Sequence, residues 1–286
     1  MKKCFSITTV LVFSVFVGSG CGEDGESTSG AAGSESTGGS GAAETGGSGG
    51  TGGADATPPP GCAGTVTFGD AVIEAAAREA AYVPSGDIPY EFAQFVTELT
   101  VTYGTVSDLS GLECLQALTN LDLGNNDVSD ITAIAGLQSL TQLDLSFNAL
   151  TDISVLSSLT NLTWLNLTGN EIADITALSS LTRLTMLRLS ANALADVAPT
   201  SELTALTGLY LDDNQISDLA PLAGLTALEE LSVSFNNVTD LSVLVSNPGI
   251  DAGDYVEVND NPFDCASQAA NIQALEARGV MVASDC

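Results

Sequence analysis

Asparagines at 126, 148, 170, 192, 214 and 236 stand 22 residues apart. The same apolar frame returns around each. Leu118, Leu121, Leu123 and Val128 about Asn126 become Leu140, Leu143, Leu145 and Leu150 about Asn148, and so on. A strict period of this length lays down one small backbone unit repeatedly, and no single unit can bury its apolar side alone. The expected product is a solenoid in which each coil packs only on its neighbours, so the core runs along the stack and the two ends need caps. Such a chain offers a long surface rather than one deep pocket, which points towards binding.

Written out, the frame is L-x-x-L-x-L-x-x-N-x-[VIL]-x-D-[VIL], the pattern of a leucine-rich repeat, running through residues 99–246. It closely resembles the internalin-type class of 22-residue bacterial leucine-rich repeats. The resemblance implies an α/β repeat solenoid of about seven coils, curved, with a concave strand face that binds other proteins. Partners differ widely within that class, so no particular ligand carries over. The first coil starts near Leu99 and has Gly104 where the others have asparagine. At the far end Asn247-Pro248-Gly249 breaks the register, and the frame around Val256, Val258 and Asn261 arrives three residues late.

The repeated asparagines read as structural. After each strand the chain turns sharply and leaves inward backbone groups without a sheet partner. A side-chain amide can both donate to a carbonyl and accept from an N–H. A second column, Asp108, Asp130, Asp152, Asp174, Asp196, Asp218 and Asp240, shares the period. Each aspartate precedes a short apolar-led segment and is placed to cap a one-turn helix on the outer side. A row of carboxylates could instead hold Ca²⁺, but calcium needs six to eight oxygens converging on one point, and one aspartate per coil does not supply them. No metal or cofactor is therefore expected.

Flanking the repeats, residues 62–98 read as an N-terminal cap. One helix starts after Asp70 with Val72, Ile73 and Ala76 on its inner face, and a second lies around Pro89–Phe95. Residues 247–286 read as a last repeat and C-terminal cap, with a helix over 266–278 stopped by Gly279 and a final strand at 280–282. Four cysteines fall in pairs at the two ends, and an exported chain permits disulfides. Cys62–Cys114 and Cys265–Cys286 are the expected bridges, because each joins residues within one end of the stack.

Ahead of the cap, Lys2-Lys3, an apolar run from Phe5 to Val17 and Gly20-Cys21 make a secretory signal over residues 1–20; the run is too short for a comfortable membrane span. The Ser19-Gly20-Cys21 junction resembles the lipobox of bacterial lipoproteins, which implies lipid on Cys21. Gly18 departs from the leucine usual there. Gly22 after the cysteine leans, by analogy with lipoprotein sorting, towards the outer membrane. Residues 21–61 form a tether: from 22 to 60 there is no Leu, Ile, Val, Met, aromatic or basic residue, too little apolar matter to offset the entropy of ordering.

Thirty-six acids face six basic residues, a formal charge of −30, and there is no histidine. Removal of residues 1–20 takes both lysines and leaves four arginines against the same acids, or −32. That excludes nucleic acid as a partner, since phosphates are repelled. Nucleophilic or acid–base catalysis finds no histidine, no G-x-S-x-G and no phosphate loop, so no catalytic residue is nominated.

Alternation along the strands puts two columns on the concave face: Asn120, Gln142, Trp164, Met186, Gly208, Glu230 and Asp122, Asp144, Asn166, Arg188, Tyr210, Ser232. Trp164, Met186, Arg188 and Tyr210 come from three successive coils, and Phe147 and Phe235 lie just past neighbouring strands. Exposed Trp, Tyr and Arg are the types most enriched at binding hot spots, so these six form the candidate ligand-binding set. The expectation is a monomeric, exported module, lipid-anchored in the cell envelope, that binds a protein. The alternative is a structural spacer with no specific ligand.

Overall fold

The structure, a computed structural model, describes residues 57–286. The signal segment 1–20, Cys21 and the tether up to residue 56 lie outside the described residues. Within 57–286 a nine-stranded parallel sheet carries the architecture: β3 (Glu98–Thr100), β4 (Asn120–Asp122), β5 (Gln142–Asp144), β6 (Trp164–Asn166), β7 (Met186–Arg188), β8 (Gly208–Tyr210), β9 (Glu230–Ser232), β10 (Tyr255–Glu257) and β11 (Met281–Ala283) pair in strict sequence order. From β3 to β9 each residue pairs with the one 22 positions on, so Trp164 faces Met186 and Arg188 faces Tyr210. The insertion at Asn247 widens the next step: Glu230 pairs with Tyr255.

Every coil closes on the same buried set. In the coil of β5 these are Leu137, Leu140, Leu143, Leu145, Leu150, Ile153 and Leu156, each essentially inaccessible. Burial of leucine-sized side chains at about 1.5–3 kcal/mol each makes this stack the main source of stability, shared between neighbouring coils. The convex side is built from single 3₁₀ turns such as Ser154–Ser158 and Thr176–Ser180. A 22-residue coil leaves no room for a longer helix there.

The N-terminal cap contains a short antiparallel pair not foreseen from the sequence, β1 (Thr65–Val66) with β2 (Ile88–Pro89). It also holds helices α1 (Ala71–Ala80) and α2 (Tyr90–Ala93). Asp70 caps α1 by accepting from the N–H groups of Val72 and Ile73. The inner face of α1 differs from expectation: Ile73 and Ala77 are buried, while Val72 is 54% exposed. The helix turns about 100° per residue, so the line through Ile73, Ala77 and Ala81 is buried, Ala76 and Ala80 pack partly against the core beside it, and Val72 falls outside. The bond Cys62–Cys114 ties this cap to the first coil.

At the other end α3 (Ser242–Ser246) and α4 (Cys265–Ala277) lead into β11, and Cys265–Cys286 closes the cap. Arg278 does specific work here. Its guanidinium donates to the carbonyls of Asn247, Leu244 and Val245, capping the C-terminus of α3. Asn247 is fully buried and donates to Leu222 and Leu225 carbonyls, which joins the out-of-register segment to the coil before it.

Candidate functional site

Turns that shape the exposed face come first. Each ladder asparagine bridges two coils. The Asn170 amide donates to the carbonyls of Leu145 in the preceding coil and Leu167 in its own, both at 3.0 Å, and accepts from the Leu150 N–H at 3.0 Å. Asn126, Asn148, Asn192, Asn214 and Asn236 make the same three bonds one coil apart. Asn261 extends the series to a seventh rung, donating to Val233 and Val258 and accepting from Val238. The sequence placed it in a frame three residues late, and these bonds carry the ladder across that shift.

Two further columns follow the same period and were not picked out from the sequence. Thr119, Thr141, Thr163, Thr185 and Thr207 each donate N–H and hydroxyl to the carbonyl 22 residues earlier. The residue before each ladder asparagine takes a left-handed backbone: Asn125, Phe147, Gly169, Ala191, Asp213 and Phe235 have φ of 52–71°. The period alone would have revealed the threonines, whereas the left-handed column shows no residue preference to read.

Opposite the strands, Asp108, Asp130, Asp152, Asp174, Asp196, Asp218 and Asp240 each accept from the N–H two residues on, at 2.7–2.9 Å. They sit one residue ahead of the position usual for a helix cap. The hydroxyl and then the N–H of Ser110, Thr176 and Ser242 hold the carboxyls of Asp108, Asp174 and Asp240 below the usual carboxylate range, and the N–H and then the hydroxyl of Thr132 and Ser154 do the same for Asp130 and Asp152. Among the described residues no group of three or more His, Cys, Asp or Glu is arranged to hold a metal ion.

On the concave face, sheet register brings Trp164, Met186, Arg188 and Tyr210 onto three adjoining strands. Trp164, Met186 and Tyr210 are half-buried and Arg188 is exposed. The Arg188 guanidinium lies over the Tyr210 ring, 5.0 Å from its centroid, a cation–π contact. The Tyr210 hydroxyl donates to Glu230. Burial and that carboxylate together push the phenol up to about 12.

Phe147 and Phe235 stand apart from this group. Both are more than half exposed, but each lies at the left-handed turn, three residues past its strand. Phe147 packs against Gly169, where a side chain would meet the Phe147 ring at 2.5 Å. Four coils separate the two phenylalanines, so the six nominated residues make one compact group of four and two outlying aromatics.

Comparison with known proteins places these features. The family model described as leucine rich repeat matches residues 116–172, and that described as leucine rich repeats in two copies matches 160–203 and 204–246. No curated protein matches the chain. Among solved structures, internalin C2 of Listeria monocytogenes is similar with a TM-score of 0.69 and 28% identity, over 76% of this chain and 94% of that one. A second Listeria monocytogenes internalin aligns with a TM-score of 0.62 and 28% identity, over 76% of this chain and 68% of that one. A leucine-rich-repeat protein of Leptospira interrogans shares the fold at a TM-score of 0.61 and 24% identity, over 68% of this chain and 51% of that one.

Proposed function

Residues 98–261 form a leucine-rich-repeat solenoid of the 22-residue internalin type, and from that premise we propose that the protein is a recognition module that binds another protein through its concave face. The observation that carries this reading is the Trp164, Met186, Arg188 and Tyr210 group. These are large, partly exposed side chains of the types that dominate interface energies, gathered by register on one face of the sheet. A spacer that only had to stay soluble would gain nothing from exposing them together. No catalytic role is assigned.

The same reading makes the protein a monomer held in the bacterial cell envelope by lipid on Cys21, with residues 22–61 between the anchor and the repeats. The signal-like residues 1–20 and the Gly20-Cys21 junction support export and anchoring, and Gly22 favours the outer membrane.

The test is a cross-linking pull-down from envelope extract with the full chain in detergent. The control chain carries Trp164→Ala and Tyr210→Ala. A protein captured by the wild type and lost with the double substitution establishes the module and its face. Identical capture by both chains returns the concave patch to ordinary surface and favours the spacer.

A further inference from the structure

The concave face also carries a charge pattern that describes its partner. In the two outward-facing columns acids stand at both ends: Glu98, Asp122 and Asp144 on β3–β5, then Glu230 and Glu257 on β9 and β10. Between them β6–β8 present Trp164, Met186, Arg188 and Tyr210. Among the described residues no lysine or arginine forms a salt bridge with these acids. The described residues contain no lysine, and their four arginines are engaged elsewhere. Arg78 pairs with Glu74, Arg183 donates to Asn161, Arg278 caps α3 and Arg188 covers Tyr210.

Crowding on the β4–β5 side is physical. Asp122 and Asp144 are register partners, and burial, followed by the Asp144 charge, pushes the Asp122 carboxyl above the usual range against the pull of the Gly124 N–H. At the other end Tyr255, 38% exposed, is paired with Glu230 and donates to Glu257 at 3.3 Å. A cation there can meet a carboxylate and an aromatic face together. Two residues past Ser232, the register partner of Glu257, Ser234 has its N–H bonded to Asp212 and holds the one buried side-chain oxygen among the described residues with no hydrogen-bond partner.

We infer that the concave face receives a protein segment with cationic side chains at two separated points, one set on Glu98, Asp122 and Asp144 and the other on Glu230 and Glu257, with an apolar stretch between them across Trp164 and Met186. The inference rests on the concave face being the binding face. Four strand spacings of about 4.8 Å put Asp144 and Glu230 roughly 19 Å apart, and six put Asp122 and Glu257 roughly 29 Å apart. Arg188, which forms no salt bridge with a described carboxylate, repels an uninterrupted basic run and so sets the register of the segment.

The probe is a labelled decapeptide with lysines at its first two and last two positions around a leucine-rich centre; its inner lysines can lie roughly 23 Å apart when extended. Its isomer carries all four lysines at one end, and a third peptide has glutamate for lysine. With the full chain, the separated peptide should bind about tenfold tighter than its isomer, weaken as salt rises, and lose about tenfold with either Asp122→Asn/Asp144→Asn or Glu230→Gln/Glu257→Gln. The glutamate peptide should not bind. Asp152→Asn/Asp174→Asn removes the same charge from the convex side and should change nothing. Equal binding of the two lysine isomers, or an equal effect of the convex pair, overturns the inference. If envelope capture depends on Trp164 and Tyr210 but peptide discrimination is absent, the charge pattern falls and the recognition face stands. Peptide discrimination with envelope capture indifferent to those two residues supports the charge pattern and removes their assignment.

Discussion

The thioether of Met186 lies across Gly208. A Cβ built on Gly208 would stand 2.6 Å from both the sulfur and the terminal methyl of Met186. Glycine on β8 therefore creates the shelf on which the Met186 side chain rests, between Trp164 on one neighbouring strand and Tyr210 on the other.

Gly208→Ala should displace Met186 without unfolding the coil, because the obstructing atoms are the end of a flexible side chain. Stability should change by less than about 1 kcal/mol. The emission of Trp164, the only tryptophan and the register partner of Met186, should shift as its neighbour moves. An unaltered emission spectrum from a folded variant would refute the shelf.

Asn170→Leu should cost about 1–3 kcal/mol, the penalty for leaving buried backbone groups unpaired. Its amide serves the carbonyls of two successive coils and one N–H, and leucine serves none of them. Thermal denaturation measures this; a midpoint equal to the wild type would remove the ladder's structural role. Hydrogen exchange should also show protection lost in the coils of β5 and β6 before those nearer the caps, since solenoid coils are stabilised mainly by their neighbours.

Tyr210 should ionise near pH 12, held up by burial and by the Glu230 carboxylate. Tyr255 is also raised, chiefly by burial. The folded-state value of Tyr210 lies above that of the unfolded chain, so its contribution to stability is fully present below about pH 10 and fades as pH rises towards 12. Titration of phenolate absorbance checks this. Tyr210→Phe should delete the step near pH 12, and Glu230→Gln should bring it to lower pH. A step near pH 12 that survives Tyr210→Phe would show that another residue carries it.

Much of the candidate site was legible because a period of 22 converts sequence position into spatial neighbourhood. Once the coils stack in register, residues 22 apart must lie side by side, and Trp164, Met186, Arg188 and Tyr210 follow without coordinates. Phe147 and Phe235 could be placed by the same arithmetic but not joined to that group, since they lie past the strand at a left-handed turn.

The sequence by itself determined the parallel stack, the buried leucine faces and the role of the repeated asparagines, because each depends on spacing alone. Tertiary structure decided what depends on contacts between unlike segments. It placed Ile73 and Ala77 rather than Val72 against the first coil, turned Arg278 onto the end of α3, brought Asn261 into the ladder across an insertion, and laid Arg188 over Tyr210 and Met186 over Gly208. None of these follows from a period, because direction of a side chain and closure across an irregular segment are fixed only when the surrounding atoms compete for the same space.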